Sequence, residues 1–277
     1  MRYLITAIFL LQGSLLYAQQ RPLVTERAET VPKGHVLLDA GIEYLQNAVF
    51  PFSGLEGDLT RAGVVGFRLG VADNVEIQIQ GAIQNILSIQ KKSTTAPNTP
   101  RLNFSGNSTN DVGDFTLATK VRFLEEEGNR PALAFRFGME LPNASNETGL
   151  GNDETNVFGS LLLEKEFDKI TLLTSFGVAI LGDPVTAGAQ DDLFSYGVAA
   201  LYDVHPRVRL VGDIHGRTGP GGIGTEEQSS LRLGAQIQAA HLHWDVGLFS
   251  GFTDTDPDFG LIIGVSKEFQ LFDFGPF

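Results

Sequence analysis

The side chains able to do chemistry are few and scattered. The 277 residues include five histidines (His35, His205, His215, His241 and His243) and no cysteine. Without cysteine there is no thiolate metal site, no cysteine nucleophile, no disulfide framework and no acylated lipoprotein cysteine. His215 shares one face of a strand-like segment with Asp213 and Arg217, and such a trio reads as a structural network rather than a general base. The remaining histidines fall near segment ends. Asp254-Thr255-Asp256-Pro257-Asp258 offers closely spaced carboxylates, but the glycine and later glutamate of an EF-hand are missing, leaving a weak surface cation site. Gly219 to Gly224 is rich in glycine but lacks the Lys-Ser/Thr of a phosphate loop. Asn103, Asn107, Asn143 and Asn146 open glycosylation-like triplets, which read here as polar loops. The sequence predicts no enzyme, no cofactor and no metal site.

Charge is what remains to be positioned. The chain holds 20 Lys+Arg and 33 Asp+Glu, a net charge of −13, which argues against a nucleic-acid partner. Its first segment is an address. Arg2, an apolar run from Leu4 to Leu16 and the end Tyr17-Ala18 describe a secretory signal peptide over 1–18. The run is too short for a membrane helix, which needs about 20 residues, and no later stretch is longer. A mean hydropathy of +0.02 hides a strict alternation in the rest of the chain. Val75, Ile77, Ile79 and Ile83 interleave with Glu76, Gln78, Gln80 and Gln84. Leu133, Phe135, Phe137, Met139 and Leu141 interleave with Ala134, Arg136, Gly138 and Glu140. Period 2 separates apolar from polar on a strand and mixes them on a helix.

The same pattern predicts twelve strands, at about 34–44, 61–71, 75–88, 113–124, 131–142, 156–167, 169–181, 192–203, 207–217, 228–239, 242–252 and 259–269. Short connections alternate with long polar ones at 45–60, 89–112, 143–155, 182–191, 218–227 and 253–258. Even strand number, short turns at one end and long loops at the other describe a single up-and-down antiparallel transmembrane β-barrel, all-β, with both termini at the periplasmic end. The predicted organisation is a signal peptide over 1–18, a periplasmic segment over 19–33, the barrel over 34–269 and a C-terminal extension over 270–277.

In such a barrel the apolar face meets lipid and the polar face lines the lumen. Aromatic residues on the apolar face gather at both strand ends. Phe123, Phe167, Tyr202, Trp244 and Phe269 lie toward the short turns, and Tyr44, Phe115, Phe194, Tyr196, Phe252 and Phe259 toward the long loops. Two belts suit two membrane interfaces. Lys165 and Lys267, near the turns, can snorkel. The predicted lumen lining comprises Asp39, Glu43, Arg68, Glu76, Lys120, Arg122, Arg136, Glu140, Glu164, Arg209, Asp213, His215, Arg232 and Asp245. Small neighbours on that face (Gly66, Gly70, Ala118, Gly138 and Gly234) suit a crowded interior. Twelve strands lie between a side-chain-filled eight-strand barrel and a sixteen-strand porin, so the lumen is expected to be narrow and partly obstructed.

The acidic excess lies in the long connections and their edges, including Glu56, Asp58, Asp111, Asp114, Glu147, Asp153, Glu154, Asp183, Glu226, Glu227, Asp254, Asp256 and Asp258, against Arg61, Lys91, Lys92 and Arg101. Either these acids form a solvated loop surface, or they form an acidic vestibule that gathers cations.

Glu29-Thr30-Val31-Pro32-Lys33-Gly34-His35, running into the first strand, resembles the start of outer-membrane proteins named for the meta-pathway of phenol degradation. Gly113-Asp114, Pro131-Ala132-Leu133-Ala134, Leu141-Pro142 and Gly149 to Thr155 agree with it. The resemblance implies a transporter-like barrel passing small, often hydrophobic or aromatic compounds. The expected partners are outer-membrane lipid, small-molecule solutes and the barrel assembly machinery, which would read an aromatic in the last strand or at Gly275-Pro276-Phe277. A barrel enzyme acting on lipid, a plugged structural or adhesive barrel, and a secreted soluble β-protein are the alternatives.

Overall fold

The computed structural model describes residues 20–272. The signal peptide expected over 1–18 and the stretch Gly275-Pro276-Phe277 lie outside them. Thirteen strands form: β1 (His35–Phe50), β2 (Leu55–Ala72), β3 (Val75–Lys92), β4 (Ser108–Asp111), β5 (Phe115–Leu124), β6 (Ala132–Leu141), β7 (Asn156–Phe167), β8 (Ile170–Gly182), β9 (Gln190–His205), β10 (Val208–Thr218), β11 (Gln228–Ala239), β12 (Leu242–Gly251) and β13 (Phe259–Gln270). β4 is a short strand in a loop, paired only to the end of β3. The other twelve run antiparallel in chain order, and β1 closes the sheet on β13, from His35 opposite Gln270 to Gln46 opposite Phe259. Closure pairs both edges of all twelve wall strands, the condition for crossing lipid with strands.

Exposure inverts the usual rule for a soluble protein. Ile83, Phe123 and Val178 are 59%, 61% and 62% exposed, whereas Glu76, Glu164 and Asp213 are 1%, 2% and 1% exposed. The charged face therefore points inward and the apolar face outward, as the alternation predicts for a membrane barrel. Phe123, Phe167, Tyr202, Trp244 and Phe269 stand exposed at the turn end, and Tyr44, Phe194, Phe252 and Phe259 at the loop end. Lys165 lies 5.8 Å from the Phe167 ring centroid and Lys267 lies 5.0 Å from that of Phe269. Lys165 also reaches past the strand end to the carbonyl of Gly128 at 2.6 Å.

One long loop differs from expectation. The stretch 45–60 is strand almost throughout: Ala48 pairs with Gly57 and Phe50 with Leu55, around a tight turn in which Gly54 has φ +71°. The alternation was masked by a bulge. Asn47 adopts φ 54°, and the register shifts between Leu45 and Ala48, so side chains beyond it change face. Ala48, Leu55, Leu59, Leu87 and Ile89 then form a buried cluster with Leu102, Phe104 and Leu150 from neighbouring loops. β3 likewise runs on to Lys92.

Candidate functional site

The lumen is not lined by the wall alone. Residues 20–33, expected beneath the barrel in the periplasm, lie inside it as a collar following the inner wall in strand order. At the periplasmic end the Val31 amide donates to Glu76 of β3 at 2.6 Å. Lys120 of β5 donates to the Arg27 carbonyl at 3.1 Å. The Ala28 amide and the Arg27 Nε each donate to Glu164 of β7 at 2.9 Å. The amides of Val24 and Thr25 donate to Asp213 of β10 at 2.6 and 3.0 Å, and the Thr25 hydroxyl donates to the same carboxylate at 2.6 Å. Gln236 of β11 donates to the Arg21 carbonyl at 2.7 Å. Arg21 then meets Asp39 of β1 at 2.9 Å and donates to the Val64 carbonyl of β2 at 2.8 Å. The collar thus makes nearly one full turn.

The wall is cut to receive it. A Cβ on Gly234 or Gly247 would come within 2.6 Å of Pro22. One on Gly41 would come within 2.7 Å of the Arg21 guanidinium. Leu23 packs among Leu173, Ala199, Leu201 and Val211, an apolar patch within the lumen. Ala28 packs on Ala132, Ala134 and Leu162. Buried backbone amides need acceptors, and here they find wall carboxylates.

The predicted lining residues sort by this contact. Asp39, Glu76, Lys120, Glu164, Asp213 and Arg232 bind the collar directly, Arg232 through the Pro22 carbonyl at 3.2 Å. Arg136 joins Glu26 at 3.0 Å and Gln78 at 2.7 Å, and stacks 4.7 Å from the Phe158 ring. Arg68 lies 3.4 Å from Asp39, and Asp245 lies 3.9 Å from Arg21. Glu43 takes Arg61 at 3.0 Å and Arg232 at 4.0 Å. Glu140 accepts from Asn156 at 3.0 Å. Arg122 and Arg209 sit instead at the periplasmic rim, tied to Glu125 at 2.9 Å and Asp203 at 2.6 Å. The collar's own Arg21, Thr25, Glu26 and Arg27 were missed in the sequence, as were Gln78 and Gln236. The signal that could have found them was the row of inward small residues, of which Gly70 and Gly234 face Pro32 and Pro22 of the collar.

His215 hydrogen-bonds Ser230 Oγ at 3.0 Å, and its other ring nitrogen lies 3.7 Å from Asp213. That order of residues evokes a nucleophile, base and acid. However, 3.7 Å exceeds hydrogen-bond reach, and Asp213 already accepts three bonds from the collar. The set faces the lumen, away from lipid.

At the extracellular end, the loops at 93–114 and 142–155 fold over the mouth. Ser53 donates to the Gly149 carbonyl at 2.8 Å, and Asn98 to that of Asn146 at 2.6 Å. Rim acids serve this folding. Asp111 accepts from the Ser145 amide and the Thr148 hydroxyl, both at 2.8 Å, and Asp256 accepts from the Ser229 amide at 2.9 Å. Among the described residues no group of three His, Cys, Asp or Glu is arranged to hold a metal ion. Between collar and loops lies a cavity of about 400 Å³ bordered by Arg136, Glu140, Ser195, His215 and Arg217, with Val24, Thr25 and Glu26 beneath it.

Residues 19–269 match the family described as "Putative MetA-pathway of phenol degradation". The chain belongs to that family. Among solved structures it is similar to the COG4313 outer membrane channel from Pseudomonas putida F1, with TM-score 0.62 and 16% identity over 87% of this chain and 98% of that one. It is also similar to the NanC porin, with TM-score 0.51 and 8% identity over 83% and 98%. No curated protein matches. At these identities the likeness is one of fold: this family member has the closed barrel of bacterial outer-membrane channels and porins.

Proposed function

We propose that the protein is a passive channel for small molecules in the bacterial outer membrane, narrowed by residues 20–33 as an internal collar. The observation that carries this reading is a charged, hydrogen-bonded lumen inside a closed barrel whose outer face is apolar and belted by aromatics. Its fold neighbours bear the names of a channel and a porin. The family description supports hydrophobic or aromatic cargo. Enzymatic work on lipid has less support, because the Ser230–His215 pair faces the lumen. Phe269, exposed at the end of β13, supports delivery by the barrel assembly machinery.

Planar-bilayer recording of the purified full chain tests the reading. Small discrete steps are expected, rising several-fold when residues 20–33 are deleted. Silence from both proteins would leave a structural barrel without transport.

A further inference from the structure

The cavity above the collar holds guanidinium donors that no acceptor of the protein takes up. Arg136 Nη2, His215 Nδ1 and Arg217 Nε are all buried and all lack a hydrogen-bond partner within the protein. Arg136 spends its Nε on Gln78 and Glu26. Arg217 approaches Glu226 at 3.9 Å, beyond hydrogen-bond distance. Of the acceptors in the same space, Glu26 is taken by Arg136 and Gln78, and one oxygen of Glu140 by Asn156. The donors at Arg136 Nη2 and Arg217 Nε stay unpaired. Leu162, Leu181 and Leu193 border the same cavity and give it an apolar side. Arg217 also lines a second cavity of about 190 Å³ beneath the mouth loops, so it stands where the outer space meets the inner one.

We propose that this inner cavity is a binding site for a small organic anion, its carboxylate held by Arg217 and Arg136 and its apolar body laid against Leu162, Leu181 and Leu193. A guanidinium presents two parallel donors that match the two oxygens of a carboxylate. A mostly apolar space with a few converging donors is the usual form of a small-molecule site. The acidic loops at the rim disfavour anions at long range, so the site selects by direct contact with a desolvated guanidinium rather than by attraction from afar. The inference extends the channel reading to a substrate class, but binding can be measured without conduction.

Isothermal titration of the detergent-solubilised full chain with hexanoate, and with hexanamide as a neutral counterpart, provides the test. Hexanoate is expected to bind at least tenfold tighter than hexanamide. Arg217→Gln is expected to abolish that preference, and Arg217→Lys, which keeps the charge without the fork, to restore part of it. Equal binding of the two probes by the unaltered protein overturns the proposal without requiring any variant to fold, as does undiminished hexanoate preference in Arg217→Gln. A silent bilayer alongside hexanoate-selective binding would overturn the channel reading and leave the site standing.

Discussion

Thr25 is seated on Asp213: one carboxylate on β10 receives the Thr25 hydroxyl at 2.6 Å and the Thr25 amide at 3.0 Å, from 188 residues earlier in the chain. Hydrogen bonds to a charged acceptor contribute about 1.5–3 kcal/mol each, and here three converge once the Val24 amide is included. Asp213→Asn keeps the shape and removes the charge. It is expected to loosen the collar locally while the wall remains closed. The chain has no cysteine, so a single Leu23→Cys, at a collar position only 4% exposed, reports this directly. Its maleimide labelling should speed up at least several-fold when Asp213→Asn is added.

Crowding gives a second route to the same end. Gly247 faces Pro22 so closely that a Cβ there would come within 2.6 Å of the proline ring, while the nearest strand backbone atom stays 3.5 Å away. Gly247→Val is therefore expected to push out the collar's first residues while the β11–β12 pairing holds. Overpacking of this kind typically costs about 1–3 kcal/mol. Limited trypsin digestion should then cut after Arg27, which is sheltered in the unaltered protein.

The outer face obeys a different rule. Val178 on β8 is exposed and meets lipid. Val178→Arg should destabilise the barrel by about 2–4 kcal/mol if it lies near the midplane, read as a lowered urea midpoint in lipid vesicles. Ser160→Arg on the inward face of β7 should cost much less.

The mouth is closed by packing more than by charge. Leu102 from the 93–107 loop joins the cluster of Ala48, Leu55, Leu59, Leu87 and Ile89, and Gly149 (φ +78°) lies against Leu55 and Leu102. Leu102→Ser should free this loop. Trypsin should cut after the exposed Arg101 faster than in the unaltered protein, with the barrel itself intact by heat-modifiable gel mobility.

Twelve strands, their direction and the lipid-facing half were legible because each wall strand repeats one rule: apolar outward, polar inward. Val75 to Gln84 and Leu133 to Leu141 state it plainly. Legibility failed where the rule broke or did not apply. Asn47 bulges and flips the face of the residues after it, so the extended β1–β2 hairpin read as a polar loop. Residues 20–33 form no regular structure and follow no period, so Arg21, Thr25, Glu26 and Arg27 gave no sign of being buried. Wall carboxylates such as Glu164 and Asp213 are legible as lumenal from their strands. Their partners are not, because Arg27, Ala28 and Thr25 belong to a segment assigned to the periplasm. The inward glycines were noticed as a mark of crowding, and the collar is what crowds them.

A disulfide across the collar and wall tests the central claim most directly. A Cβ built on Gly197 lies 3.2 Å from the Thr25 Cβ, close to the spacing of about 3.5–4.5 Å that a disulfide spans. In the otherwise cysteine-free chain, Thr25→Cys with Gly197→Cys should oxidise to a single intramolecular crosslink in the folded barrel, and the crosslinked protein should keep the small bilayer steps of the unaltered chain. Failure to crosslink in a folded, heat-modifiable barrel would contradict a collar inside the lumen.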